Sequence, residues 1–231
     1  MCTAATYLTD HFFFGRNLDY ERGFGERVTV TPRSFPLPMR HLNEVTQHYA
    51  MIGMASVQAG YPLYYDAVNE KGLCIAGLNF VSSAVYRPCP AEGRGVAQFE
   101  LIPWLLGSCA GVDEACRLLE GVCITDDAFL PGLPPAKLHW LLADRRRCVV
   151  LEQTADGLHL YDDPAGVLTH EPPSPCRGSS CTTTPSCPPV RRRTASPLPC
   201  RCEPTAGAWV PWGCPAICRP SPGSCAPPLP G

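Results

Sequence analysis

The chain has 231 residues, enough for one domain or two small ones with a sizeable core. Its formal net charge of -2 at pH 7 gives no reason to expect nucleic acid or an anionic membrane surface as a partner. No apolar run approaches the roughly 18–20 residues that span a bilayer, and the N-terminus lacks the basic and hydrophobic regions of a secretory signal. We therefore expect a soluble, cytoplasmic protein.

The composition changes abruptly near residue 172. Residues 1–170 hold seven of the 15 Cys and 11 of the 27 Pro, as is ordinary for a globular domain. Residues 171–231 hold the other eight Cys and 16 Pro, and they show neither helical nor strand periodicity. We therefore divide the chain into a globular part, residues 1–173, and a Pro- and Cys-rich tail, residues 174–231.

Short apolar and β-branched runs separated by turn residues predict strands in the first half of the globular part. Arg27–Thr31 alternates and stops at Pro32, which cannot donate to a strand ladder. Residues 69–72 form a predicted tight turn before a largely apolar segment, 73–80, which predicts a buried strand. The strands predicted in this half are 2–7, 12–14, 27–31, 49–55, 64–68 and 73–80.

Two predicted helices follow, and then strands return. Residues 99–109 are apolar with a proline near the first turn, and residues 112–119 place Val112, Cys116 and Leu119 on one face. A series of strands, two helices and more strands predicts a layered α+β sandwich and not alternating βαβ units. The last predicted strands are 138–143, 148–153, 158–161 and 166–169.

The second residue carries the clearest chemical signal. Met aminopeptidase removes Met before a small residue, so Cys2 would become the N-terminus and carry both a thiol and a free α-amino group. A thiol attacks an amide as the thiolate, and an α-amino group titrates at about 7.7–8.0, which suits it as the base. Taken alone, the Met-Cys start favours no catalytic role, because any residue can follow Met.

Several segments together resemble the choloylglycine hydrolase family in order and spacing. The resemblance runs from residue 1 to about 173, roughly the first half of a typical member of this family of bile salt hydrolases and penicillin V acylases. It implies a four-layer αββα sandwich of the N-terminal-nucleophile hydrolase type, of which only the first half is present. The matching segments are 1–3 (Met-Cys-Thr), 14–20 (Phe-Gly-Arg-Asn-Leu-Asp-Tyr), 69–73 (Asn-Glu-Lys-Gly-Leu), 76–80 (Ala-Gly-Leu-Asn-Phe), 138–144 (Leu-His-Trp-Leu-Leu-Ala-Asp) and 166–169 (Gly-Val-Leu-Thr).

The resemblance implies catalytic roles at four positions. Cys2 matches the nucleophile, and Arg16 matches the cation beside the thiol, where it favours the thiolate and orients the substrate carbonyl. Asp19 matches the carboxylate that holds the α-amino group, and Asn79 matches an Asn on the oxyanion side. From the residues alone, Arg16 and Asp19 could instead form a surface pair, and Asn79 could simply end a strand.

Two features depart from the family pattern. His170 stands where the family has an Asn that completes the oxyanion site, and we interpret it as an altered catalytic position and not as a new general base. The family also supplies a second catalytic Arg from a Ser-Arg-Phe-Val-Arg-like segment in its second half, and no such segment follows here. Both departures predict little or no activity for the chain as written.

Three interpretations compete for the tail. A disulfide scaffold suits eight Cys but conflicts with the missing signal peptide, and a zinc module would need His or a second matched Cys pair. We favour a one-base reading-frame slip, which leaves a disordered, out-of-frame tail. Back-translation from the third codon base gives Pro-Met-Gln from 174–177, Ala-Tyr-Ser-Arg-Gly-Met-Gly from 203–210 and Ser-Arg-Phe-Val-Arg from 221–226.

The resemblance implies hydrolysis of a linear, non-peptide carbon–nitrogen amide. A conjugated bile salt is the leading small-molecule substrate, and penicillin V is the alternative. We expect no cofactor and no metal, no nucleic-acid or membrane partner, and homo-oligomers among intact relatives. An alternative of another class is a non-enzymatic, Cys-rich binding module, which would require the tail to fold with disulfides or a metal.

Overall fold

The computed structural model describes residues 2–20, 23–92 and 94–171. The predicted out-of-frame, disordered tail with its eight Cys lies outside these residues. Every predicted strand and helix of the globular part has a counterpart, with ends shifted by a few residues. In chain order the elements are β1 (Thr3–Leu8), β2 (Phe12–Asn17), β3 (Arg27–Thr31), β4 (Met51–Gln58), β5 (Tyr61–Asn69), β6 (Cys74–Asn79), β7 (Arg94–Ala97), α1 (Leu101–Ser108), α2 (Val112–Leu118), β8 (Val122–Thr125), β9 (Leu138–Ala143), β10 (Cys148–Thr154), β11 (Gly157–Asp162) and β12 (Val167–Thr169).

Seven antiparallel strands form the large sheet, in the order β11-β10-β9-β6-β5-β4-β3. The central strands β6 and β9 are almost entirely buried, and their register pairs Ile75 with Leu142 and Leu78 with His139. A strand that is apolar without alternation has no face to present to water, so it occupies the centre of a sheet covered on both sides. The predicted buried strand is therefore confirmed.

The helices cover one face of the large sheet. In α1, residues 101–107 are all buried, and Trp104 and Leu105 join Trp140 and Leu142 of β9 in the main apolar core. Full burial of a side chain of this size stabilises the fold by roughly 1.5–3 kcal/mol. The longest helix in the described part of the chain has eight residues, and none there could cross a membrane.

Asn69, in the predicted turn before β6, joins α1 to the large sheet. Its Nδ2 donates hydrogen bonds to the carbonyl oxygens of Leu106 (2.7 Å) and Cys109 (2.8 Å), at the C-terminal end of the helix. Its Oδ1 accepts from the backbone N–H groups of Lys71 and Leu73, both at 3.0 Å. Since all four bonds are made inside the protein, this side chain fixes the helix end relative to the strand.

The strands β12, β1 and β2 form the small sheet, with β1 in the centre. It packs on the other face of the large sheet. The described residues thus form three layers: helices, large sheet and small sheet. The second helical layer of the expected αββα sandwich has no counterpart within residues 2–20, 23–92 and 94–171. The apolar residues buried between the two sheets are Cys2, Ala4, Ala76, Leu78, Leu141, Val150 and Leu168.

The structure adds one helical crossover that the sequence did not predict. β7 and β8 were not predicted as strands, yet they pair in parallel, with α1 and α2 forming the crossover between them. Gln153 of β10 attaches this pair to the large sheet, because its side chain accepts from the Ile124 N–H (2.7 Å) and donates to the Ile124 carbonyl (2.9 Å). β7 and β8 are therefore two strands joined by a helical crossover.

The small sheet leaves part of the large sheet uncovered. The register places Val30, Ile52, Val68 and Cys74 in one row across β3, β4, β5 and β6, on the face that the small sheet covers elsewhere. Val30 is 63% exposed and Ile52 is 45% exposed. We call this row the open face; a cleft of about 440 Å³ separates it from residues 12–14 of β2.

The open face predicts self-association of the chain, because contiguous exposed apolar surface drives contact between copies. Replacing Val30→Thr and Ile52→Thr together should shift the purified chain toward the monomer in sedimentation velocity. A double variant of exposed valines elsewhere, Val81→Thr with Val167→Thr, is the matched control and should not. Equal effects of the two pairs would show that the open face is not the associating surface.

Candidate active site

The hairpin of β1 and β2 places the predicted site residues next to the start of the chain. Its register pairs Thr3 with Asn17 and Ala4 with Arg16. The backbone N–H of Thr3 also donates to the Asn17 side-chain oxygen at 2.6 Å. Cys2, immediately before β1, is therefore held close to residues 17–19 and is only 1% exposed.

The Cys2 thiol contacts the backbone of Asp19. The Asp19 N–H donates to Sγ at 3.4 Å, and Sγ lies 3.9 Å from the Asp19 carbonyl oxygen, to which the thiol can donate. An N–H directed at sulfur stabilises the thiolate, the nucleophilic form. The structure thus brings Asp19 to the thiol through its main chain. The role predicted for its carboxylate, holding the α-amino group, stays a prediction.

Arg16 is a buried cation in the same region, with a side chain only 5% exposed. Its Nη1 donates to the Tyr65 carbonyl at 3.1 Å and lies 3.6 Å from an Asp66 carboxylate oxygen. Burial raises the pKa of Asp66, while Arg16 opposes that rise. The Nε–H of Arg16 is buried without a hydrogen-bond partner in the described part of the chain. An unpaired, charged donor of this kind can bind a thiolate or a carbonyl oxygen.

His170 reaches Cys2 from the other side of β1. β12 pairs with β1 so that Thr169 lies opposite Thr3, and the next residue, His170, lies beside Cys2. Its Nε2 accepts a hydrogen bond from the Cys2 backbone nitrogen at 3.2 Å. The structure therefore gathers four of the five predicted site residues, Cys2, Arg16, Asp19 and His170, around the start of the chain.

Asn79 ends β6, is half-buried, and makes no side-chain hydrogen bond within the described residues. Its oxyanion role stays a prediction. Glu171 links the Asn79 end of the large sheet to His170, because its carboxylate accepts from the N–H groups of Ser82 (2.7 Å) and Ser83 (3.2 Å) in the turn just after β6. The Ser83 hydroxyl adds a third bond at 2.8 Å. Sequence reasoning missed Glu171, and nothing in the local pattern points to it.

A mostly apolar cavity of about 220 Å³ adjoins the site. Tyr20 follows Asp19, the Tyr65 carbonyl holds Arg16, and Leu138 is paired with Asn79, so three lining residues are direct neighbours of site residues. A cavity with this lining can hold an apolar group. Its lining consists of Tyr20, Phe24, Leu63, Tyr64, Tyr65, Gly77, Gln98, Phe99, Ile102, Phe129, Leu133, Pro134, Ala136, Leu138 and Trp140.

Sequence comparisons agree with this geometry. A family model described as linear amide C–N hydrolases, choloylglycine hydrolase family, matches residues 2–174. The chain is 47% identical over 172 residues to the bile salt hydrolase/transferase of Lactiplantibacillus plantarum and 37% identical over 176 residues to the conjugated bile acid hydrolase of Lactobacillus gasseri. Each match covers 74% of this chain, and 53% and 56% of these relatives, so the chain spans about half of their length.

Solved structures give the same result for the fold. A mutant of the conjugated bile acid hydrolase from Clostridium perfringens matches with a TM-score of 0.70 and 32% identity, over 75% of this chain and 54% of that one. The penicillin V acylase from Agrobacterium tumefaciens matches with a TM-score of 0.62 over 74% and 53% of the two chains. At 20% identity, the second match shows the fold alone. The predicted fold class is confirmed.

We expect the purified chain to lack Met1 and to be alkylated at Cys2 faster than at Cys74 or Cys148. Burial raises the pKa of the Cys74 and Cys148 thiols to about 12, so both stay protonated near neutral pH. Intact mass and peptide mapping after limiting iodoacetamide at about pH 7.5 would measure this. Retained Met1, or Cys2 reacting no faster than these two thiols, contradicts the N-terminal-nucleophile assignment.

Gly166→Ala should slow Cys2 alkylation about tenfold or more and lower the melting temperature. Gly166 has φ of +64° before β12, and a methyl group there would collide with the Thr6 hydroxyl, displacing the strand that carries His170. Gly60→Ala is the matched control, because Gly60 has a similar φ of +79° with open space around it. If both variants behave alike, the strained backbone and not the position of β12 explains the loss.

Proposed function

Because the chain belongs to the choloylglycine hydrolase family, we propose that the complete enzyme hydrolyses the amide bond of conjugated bile salts with Cys2 as nucleophile. The observation that carries the proposal is the contact of the Cys2 thiol with the Asp19 N–H, on a hairpin that also carries buried Arg16 and leads into Tyr20 of the apolar cavity. This arrangement offers a nucleophile, a cation and an apolar acyl-binding site in one place. The chain spans about half of its curated relatives, so the proposal concerns the complete protein.

In the proposed reaction, the Cys2 thiol gives its proton to its own α-amino group, and the sulfur bonds to the amide carbon. The carbonyl π electrons move to oxygen, where Arg16 and Asn79 stabilise the negative charge. The oxyanion collapses, the carbon–nitrogen bond breaks, and the α-ammonium gives its proton to the leaving amine. Water then adds to the thioester with the α-amino group as base, and the acid leaves as the thiol re-forms. The Asp19 carboxylate keeps the α-amino group in place.

The relatives and the cavity support a bile salt as the substrate. The named relatives at 37–47% identity are a bile salt hydrolase/transferase and a conjugated bile acid hydrolase, whereas the penicillin V acylase is similar in fold alone. Seven of the 15 residues around the cavity are aliphatic, proline or glycine, and seven are aromatic, so a large apolar acyl group fits its chemistry. The charged conjugate would then face Arg16, which the carbonyl of the lining residue Tyr65 holds.

We also propose that residues 174–231 are read out of frame. The family match ends at residue 174, where the Pro- and Cys-rich composition begins. Three back-translated segments share one offset, and one of them restores the Ser-Arg-Phe-Val-Arg segment that carries the family's second catalytic Arg. On this proposal the chain as written has the nucleophile but not the complete site, and it has little or no amidase activity.

Adding one nucleotide between codons 172 and 176 should yield a longer, soluble protein that releases glycine or taurine from conjugated bile salts. Cys2→Ser should abolish the release while leaving the fold intact, because it removes only the nucleophile's sulfur. The measurement is amine release by matched preparations of the restored protein, its Cys2→Ser variant and the unshifted chain. Penicillin V, assayed in parallel, should be cleaved more slowly.

Three results would count against these proposals. Faster cleavage of penicillin V would assign the enzyme to the acylase type. A stop codon soon after the shift, or no Arg at the expected place, would end the frame-slip proposal. Bound metal or disulfides in the tail of the unshifted chain, found by metal analysis and free-thiol counting, would favour a Cys-rich binding module.

A further inference from the structure

His170 contacts the atom that becomes the nucleophile's α-amino nitrogen. The 3.2 Å hydrogen bond runs from the Cys2 backbone nitrogen to His170 Nε2. With Met1 attached, that nitrogen is a peptide N–H, which can only donate, so Nε2 must be the acceptor. An imidazole that accepts at Nε2 is neutral and carries its proton on Nδ1. Removal of Met1 turns the same nitrogen into the α-amino group.

We propose that His170 is the hydrogen-bond acceptor that positions the α-amino group of Cys2 and stabilises it as the ammonium while the thiolate forms. This inference rests on the proposed function only in taking Cys2 as the nucleophile. It differs from the interpretation of His170 as an altered oxyanion position, because the ring nitrogen Nε2 accepts a hydrogen bond from the Cys2 nitrogen. It also makes His170 part of the proton transfer that activates the thiol.

The surrounding structure holds His170 in this position from both sides. Before it, β12 is fixed to β1 by pairing, and the Thr6 N–H donates to the Gly166 carbonyl at 2.7 Å. After it, the Glu171 carboxylate is bound by Ser82 and Ser83 through the three bonds described above. A ring anchored on both flanks loses little freedom when it accepts the bond, which is the requirement for a positioning group.

The His170 imidazole differs from the carboxamide of the family's Asn because the imidazole can be protonated near neutral pH. When His170 is protonated, it has no acceptor and it repels an ammonium group. The charges that act on it are those of the amino terminus, His139 on β9, Arg16 on β2 and the adjacent Glu171. Burial and the three positive charges lower the pKa of His170, while Glu171 opposes them. The accepting form therefore persists to a lower pH than in a free histidine, and protonation below that point should slow thiolate formation.

The test measures the alkylation rate of Cys2 in the full chain between about pH 5 and 8, a range that brackets the ordinary His pKa. Only Met1-free protein, verified by mass, is compared. His170→Ala should lower the rate about tenfold at pH 7.5, because a hydrogen bond to the charged amine is lost. His170→Asn should restore most of that rate. The His170→Asn variant should also lack the part of the fall in alkylation rate that comes from protonation of His170. The ratio of wild-type rate to variant rate should therefore decrease as the pH is lowered. His11→Asn, at an exposed turn, is the matched control and should follow the wild type.

A second measurement does not depend on how the variants fold. Long-range proton–nitrogen correlation of ¹⁵N-histidine-labelled wild-type chain should show His170 with Nδ1 protonated and Nε2 unprotonated at pH 7.5. A protonated Nε2, or identical alkylation profiles for wild type, His170→Ala and His170→Asn, overturns the proposal. Since alkylation requires no substrate, failure of the restored protein to hydrolyse bile salts would reject the proposed function and leave this result standing.

Discussion

The geometry of the site depends on β1 being the central strand of the small sheet. An unpaired chain terminus frays, whereas a nucleophile must be held within a fraction of an ångström of its reacting geometry. Thr3 is paired with Asn17 on one side and Thr169 on the other, so the residue before it is fixed from two directions. The pairing of Thr3 with Thr169 joins residues at opposite ends of the globular part. Cys2 is therefore in place only when that part has folded, which makes the site a consequence of long-range strand pairing and not of the local hairpin alone.

The layer between the two sheets also holds ionisable side chains, which are costly to bury unless they have polar partners. Arg16 lies against Asp66, and the fully buried His139 lies 3.3 Å from the Glu152 carboxylate. The His139 ring stacks on Phe80, with 4.4 Å between ring centroids. Phe80 follows Asn79, so this buried pair supports the strand end that carries the predicted oxyanion residue. This contact links the stability of the layer to the geometry of the site.

The sequence predicts the elements whose environment is encoded by neighbouring residues. It does not predict the elements that form only by pairing with a segment far away in the chain. β6 and β9 were predictable because continuous apolar runs belong in a buried sheet. β7 and β8 were not, since each has four residues and exists through parallel pairing across two helices. Cys2 was predictable from its place after Met1, whereas Arg16 gained a role only through the family resemblance. The Tyr65 carbonyl that holds Arg16 could not be predicted, because any residue offers a backbone carbonyl. Glu171 lies just beyond a strand end, where no periodicity reports its partners.

The open part of the core and the open part of the site lie at the same edge. In the described residues β2 is an edge strand of the small sheet, and beyond it lies the open face with Val30 and Ile52. Arg16 is on β2, and its Nε–H has no partner within the same described residues. A strand added beside β2 would cover the apolar row and, because neighbouring strands lie about 4.8 Å apart, would bring its own side chains next to Arg16. One addition would then complete both the core and the site. In such an arrangement activity and stability would be linked, since the added strand would both cover the open face and contact Arg16.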